Sequence, residues 1–116
     1  MDNPTMRTNQ LRPQEGDDSP WGAIDAAELL ADGIVSVHTP SHGGIWLSDA
    51  RLAQMPPDQR STDGWYEEDC EAAFPLRRFR DEVLHAFPAD RLDPYIDAAM
   101  AWCGGSFATI AMNRTP

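Results

Sequence analysis

The sequence predicts an α+β domain in which a small antiparallel sheet packs with three to five short helices. Three observations predict it. Residues 34–39 (IVSVHT) are short and β-branched, a Pro-Ser-His-Gly-Gly turn follows, and Ile45-Trp46-Leu47 resumes the apolar run. Together they read as a β-hairpin with strands at 34–39 and 44–47. Apolar residues at 76, 79, 83, 84 and 87 recur with the helical period. Ser48 before Asp49, and Asp93 before Pro94, are helix-start signals. So small a sheet leaves the helices to supply most of the core.

Residues 1–19 are polar, contain proline and lack an apolar period, so they read as a flexible N-terminal arm. The single domain then runs over 20–116, opening on Pro20-Trp21-Gly22. The segment AIDAAELLADG predicts a short helix with Gly33 as its closing residue. After the first strand, Pro40 blocks the ladder, and Gly43 and Gly44 are read as turn residues that permit positive φ. Ser48 caps a helix from Asp49 to about Gln54, which stops before Met55-Pro56-Pro57. Residues 56–64 are loop, and a helix is predicted over 65–73. Leu76 to Phe87 is a fourth helix ended by Pro88, and Asp93-Pro94 opens a fifth that runs to Trp102 or Cys103. Phe107 to Met112 reads as a third strand (106–112) or as an apolar tail.

Composition excludes several classes. Among 116 residues, 9 are basic and 19 acidic, a net charge of −10. Such a chain has no general electrostatic reason to hold nucleic acid or an anionic membrane directly. The cluster Arg77, Arg78 and Arg80 is followed at once by Asp81 and Glu82 and reads as a solvated helix face. No apolar run approaches membrane-spanning length, and residues 1–20 lack a secretory apolar core, so a cytoplasmic location in the host cell is expected. Cys70 and Cys103 are then expected as free thiols. His38 and His42 flank a proline and cannot form a helical metal pair; no metal or other cofactor is expected.

Two segments carry a resemblance: GIVSVHTPSHGGIWLS at 33–48 and DGWYEEDC at 63–70. In this order, after Pro20-Trp21-Gly22, they resemble an uncharacterised domain family of phages, plasmids and other mobile elements of GC-rich proteobacteria. The family-motif positions are Pro40, Ser41, His42, Gly43, Gly44, Gly64 and Cys70. The resemblance spans about residues 20–102 and implies no established activity. Where the family continues helically after Cys70, this chain reaches Phe74-Pro75 almost at once.

The motif residues admit two readings. In one, His42 with Glu67, Glu68, Asp69 and Cys70 forms a small metal- or Cys/His-dependent enzyme site. In the other they serve the fold: Trp65 and Tyr66 fill the core, the acids sit in a helix's first turn, and Cys70 is a small buried residue. No catalytic residue is assigned. The acids point to an interaction protein that occupies a basic groove in place of nucleic acid, and the resemblance to a mobile-element family implies its kind: a small acidic inhibitor that binds a host defence complex, of anti-CRISPR or antirestriction type. Asp63, Trp65, Tyr66, Glu67, Glu68, Asp69 and Glu71 are the candidate partner-binding residues, and a basic protein surface is the partner. An accessory structural domain is the remaining alternative. The chain is expected as a monomer or a homodimer.

Overall fold

Ile34–His38 (β4) and Gly43–Leu47 (β5) form the predicted hairpin, in a computed structural model that describes residues 12–103. Their register runs from Ile34 opposite Leu47 to His38 opposite Gly43. The strand expected at 106–112 lies outside the described residues. The α+β class holds: four antiparallel strands in the order β3 (Ala26–Ala31), β4, β5 and β6 (Trp65–Glu67), a separate two-stranded ribbon, and helices on one face.

The helix expected over AIDAAELLADG is instead strand β3, Ala26–Ala31. It pairs with β4 through Ala27 opposite Val37 and Leu29 opposite Val35. Asp32-Gly33 is the hairpin turn, with Gly33 at φ +81°. The physical reason is scale. Ala, Leu and Glu favour a helix over typical strand formers by only tenths of a kcal/mol per residue, on the order of 0.5, and a helix this short is not self-supporting. The Asp-Gly turn returns the chain onto a ready strand, and Leu30 becomes buried there.

The helix expected over 65–73 also gives way to a strand. Trp65–Glu67 (β6) pairs with β5, Ile45 opposite Tyr66, and a turn then leads to helix α2, Ala73–Arg78. Alternation explains it: Tyr66 is fully buried while Trp65 and Glu67 face the other way and are half-buried. Gly43 and Gly44 lie within β5 and neither adopts positive φ; their lack of a side chain is used for space, not for a turn.

The remaining helices follow the chain's caps. α1, Asp49–Gln54, starts where expected, with Ser48 Oγ accepting from the Arg51 amide at 3.2 Å. A 3₁₀ turn at Pro57–Gln59 lies in the expected loop. The single helix expected over 76–87 is two, α2 and α3 (Arg80–Val83), broken at Phe79, whose φ and ψ are −109° and 30°. Pro75 is accommodated in the first turn of α2, where an amide would have no helical partner anyway. α4 begins at Ala89, not at Pro94, and runs to Cys103. Asp93 is no cap: it accepts twice from the Arg80 guanidinium, at 2.8 and 2.9 Å. Pro94 sits inside the helix.

The sheet is covered on both faces. Ile34, Ile45, Leu47 and Tyr66 pack on the helices through Phe74, Phe79, Val83 and Ile96. On the other face Val35, Val37 and Trp46 join Ile24, with Trp21 and Trp65 at the margin. Ile24 and Trp21 come from a ribbon, β1 (Asp18–Ser19) with β2 (Gly22–Ala23), tied back by the Gly16 amide on the Ile24 carbonyl at 2.8 Å. Ordered structure thus takes in residues read as the end of the arm. Among the described residues, no helix is long and apolar enough to cross a membrane.

Cys70 is disulfide-bonded, and no described cysteine is a free thiol, which corrects the expectation of two thiols. Such a bond persists in oxidising surroundings, whereas a reducing cytoplasm keeps thiols free. The stability of this domain therefore depends on its compartment. Reduction should cost about 2–4 kcal/mol, read as a lower urea midpoint with reductant than without. Equal midpoints, or two free thiols in the untreated protein, would contradict the bond.

Candidate functional site

The two motif segments meet across β5 and β6. The loop between β4 and β5 closes on itself. The Thr39 amide donates to the His42 carbonyl at 2.7 Å, and the Thr39 hydroxyl both donates to that carbonyl (2.8 Å) and accepts from the His42 amide (3.1 Å). Thr39 is fully buried, while Pro40, Ser41 and His42 are exposed at the tip. Ser41 Oγ donates to the Trp21 carbonyl at 3.3 Å, which ties the loop to the ribbon. His42 stands beside Glu67, Nδ1 to Oε2 3.2 Å.

The second segment is built around Tyr66. Its hydroxyl donates to the Gln59 carbonyl at 2.6 Å and accepts from the Ser61 amide at 3.0 Å. Burial is the main cause that raises its pKa above the ordinary phenol value. Gly64, at φ +85°, turns the chain into β6, its amide held by Ser61 Oγ at 2.9 Å.

β6 is the last strand of the sheet, so the amides of Trp65 and Glu67 point outward from the ladder. Two carboxylates take them up. Asp63 Oδ1 accepts from Trp65 N at 3.0 Å, and Glu71 Oε1 accepts from Glu67 N at 3.0 Å. Pairing of a foreign strand on this edge is thereby opposed, since two of its donors are already used. Glu71 is 2% exposed and Tyr66 is fully buried. Both leave the set of surface residues the sequence pointed to, and their work is structural.

The other acids diverge. Glu67 faces His42. Glu68 is exposed, lies against Gly43 and raises the pKa of His38 slightly. Asp69 is exposed beside Tyr95, Ala98 and Trp102. The Tyr95 hydroxyl donates to the Glu68 carbonyl at 2.5 Å, and burial, then Glu68 and Asp69, pushes its pKa up to about 12. Trp65 meets Trp21 edge-on, with ring centres 5.5 Å apart and planes at 85°.

Cys70 is closed to a thiolate–imidazolium role by its disulfide. Among the described residues, no three or more His, Cys, Asp and Glu side chains are grouped as a metal ion would need.

Sequence reasoning missed one pair, His38 and Asp25, with Nδ1 2.7 Å from Oδ1. The hydrogen bond to Asp25, and then its charge, raise the His38 pKa above 6.5. Asp-Gly at 32–33 was the signal available, because a hairpin folded there puts Ala26 opposite His38 and Asp25 next to that pair. A raised histidine pKa contributes stability below about pH 6.5 that fades as pH rises through the folded value. Asp25→Asn should bring the His38 titration, followed by NMR, back toward 6.5. An unchanged titration would remove Asp25 as the cause.

Residues 14–112 match the family described as "Domain of unknown function (DUF7007)", and the chain belongs to that family. No curated protein and no solved structure matches it.

Proposed function

We propose that the domain is a binding module that docks a basic protein surface through its acidic sheet margin, and that it inhibits a nucleic-acid-handling host defence complex of CRISPR or restriction type. One observation carries the reading: the charges are segregated by use. Several of the arginines are spent on partners within the chain. Arg51 pairs with Glu82, Arg80 with Asp93, Arg78 donates to the Gln54 carbonyl and Arg60 to the carbonyls of Ala53 and Met55. At the β6 end, Asp63, Glu68 and Asp69 are exposed and make no ion pair among the described residues, and Glu67 has only His42. Trp65 and Trp21 stand beside them as half-buried aromatic surface, the residue type that anchors interfaces. The net charge of −10 adds long-range attraction for a basic groove. The resemblance of the motif to a mobile-element family supports a host defence complex as the owner of that groove.

The test is the variant E67K/E68K/D69K. It should fold with an unchanged circular dichroism spectrum, yet lose salt-sensitive capture of the defence complex from host lysate. Its association rate with the purified complex should fall about 10–1000-fold at low salt. Inhibition that survives in the folded variant would sink the proposal.

A further inference from the structure

We propose that the cleft between the sheet and α4 binds a small zwitterion with an apolar body, an amino acid of the leucine or phenylalanine type. The inference stands apart from the docking reading, because it is tested on the isolated protein.

The cleft begins with a departure in the central strand. β4 sends Ile34, Ser36 and His38 toward the helices. Ile34 is fully buried and belongs to the core, and a branched apolar residue at 36 would extend that core. Serine stands there, half-buried, and a cavity of about 310 Å³ opens over it. The walls are apolar: Ile45 from β5, Leu76 from α2, Phe87 before α4 and Leu92 within it. A volume of this size lies at the lower end for ligand pockets and suits an amino acid better than a nucleotide.

The lining also carries charge of both signs, from Glu68 and Arg91, together with His38 and Tyr95. Tyr95 is engaged by the Glu68 carbonyl and His38 by Asp25. The Glu68 carboxylate and the Arg91 guanidinium have no ion-pair partner among the described residues, and both are exposed. The backbone of Glu68 is fixed by its amide, which donates to the Gly43 carbonyl at 2.9 Å. Its Oε1 lies 3.2 Å from where a Cβ on Gly43 would be, so glycine there leaves it room.

A ligand with an ammonium and a carboxylate satisfies both groups and places its side chain on the apolar floor. A simple carboxylate leaves Glu68 unmatched and is opposed by the net charge of −10. A simple amine meets Arg91 and His38.

The experiment is calorimetric titration of the full chain with L-leucine and L-phenylalanine, beside isoamylamine and 4-methylpentanoate, which each lack one charge. At least one amino acid should bind saturably, with both analogues about tenfold weaker or more. Arg91→Ala and Glu68→Gln, at exposed positions, should each weaken binding about tenfold. Ser36→Leu, which fills the cavity, should abolish it. Absence of binding by both amino acids at millimolar concentration overturns the proposal. So does an analogue that binds as well as the parent, or full affinity in Arg91→Ala. Should Ser36→Leu fail to fold, the two exposed variants and the analogues still decide.

Discussion

Gly44→Ala should destabilise the domain by about 3–5 kcal/mol, a large part of the total stability of an ordinary domain. A Cβ on Gly44 would lie 2.1 Å from the Tyr66 carbonyl oxygen and 2.6 Å from Trp21 Cη2. The first neighbour is backbone of the paired strand. It can withdraw only if β6 moves off β5, which breaks the register of Ile45 with Tyr66. The second could swing aside, at the loss of its edge contact with Trp65. Gly44 does not occupy the left-handed region, so the whole cost is steric. Gly16→Ala is the control. Gly16 has φ +95° and nothing within 4 Å of a Cβ, so it carries only the backbone term of about 1–3 kcal/mol. Urea unfolding of both variants separates the two costs. A Gly44→Ala midpoint equal to wild type would mean that β6 is not packed on β5 as described.

The contrast at glycine shows which parts of the fold were legible. The pair at 43–44 reads in the sequence as a turn with positive φ, and in the structure neither glycine has it. Pattern cannot distinguish a glycine needed for its dihedral angles from one needed because a tryptophan crosses it, since the tryptophan lies far away in sequence. Gly33 is the reverse case: its positive φ serves a hairpin, where the sequence suggested a helix end. Both helix predictions replaced by strands, at 23–33 and 65–73, involve segments whose own preferences are weak and whose neighbours in the sheet decide. Ser48, by contrast, acts within four residues of itself, and its helix was read correctly.

The candidate site was legible as segments and not as geometry. The acids at 67, 68 and 69 are consecutive, so a strand end followed by a turn was bound to spread them. A helix over 65–73 would place Glu67 and Glu71, four residues apart, on one face. In the structure they are related more closely, as donor amide and acceptor carboxylate, and one of them is buried. A carboxylate withdrawn to seal a strand edge carries no signature in a single sequence.

Tyr66 is where the structural role of the second motif can be measured. Tyr66→Phe keeps the ring in place and removes only the hydroxyl. The Ser61 amide, buried with its residue, loses its acceptor, and the Gln59 carbonyl loses its donor. An unsatisfied buried group costs about 1–3 kcal/mol, so the pair sets an expected loss of about 2–4 kcal/mol if no water enters. Tyr66→Ala adds a cavity beneath β5 and should cost about 4–6 kcal/mol, close to the whole stability of a small domain. The two variants together test whether the loop over 57–64 is held by the hydroxyl or by the ring. If the hydroxyl holds it, Tyr66→Phe should accelerate proteolysis within that loop while the core strands stay protected from hydrogen exchange. If the phenylalanine variant matches wild type in both stability and loop protection, the loop is fixed by Arg60, which donates to the carbonyls of Ala53 and Met55. The tyrosine would then matter for its volume alone. Either way the residue acts from inside, and Glu67, Glu68 and Asp69 can be reversed in charge without touching the tyrosine or the Asp63 and Glu71 carboxylates that bond the β6 amides.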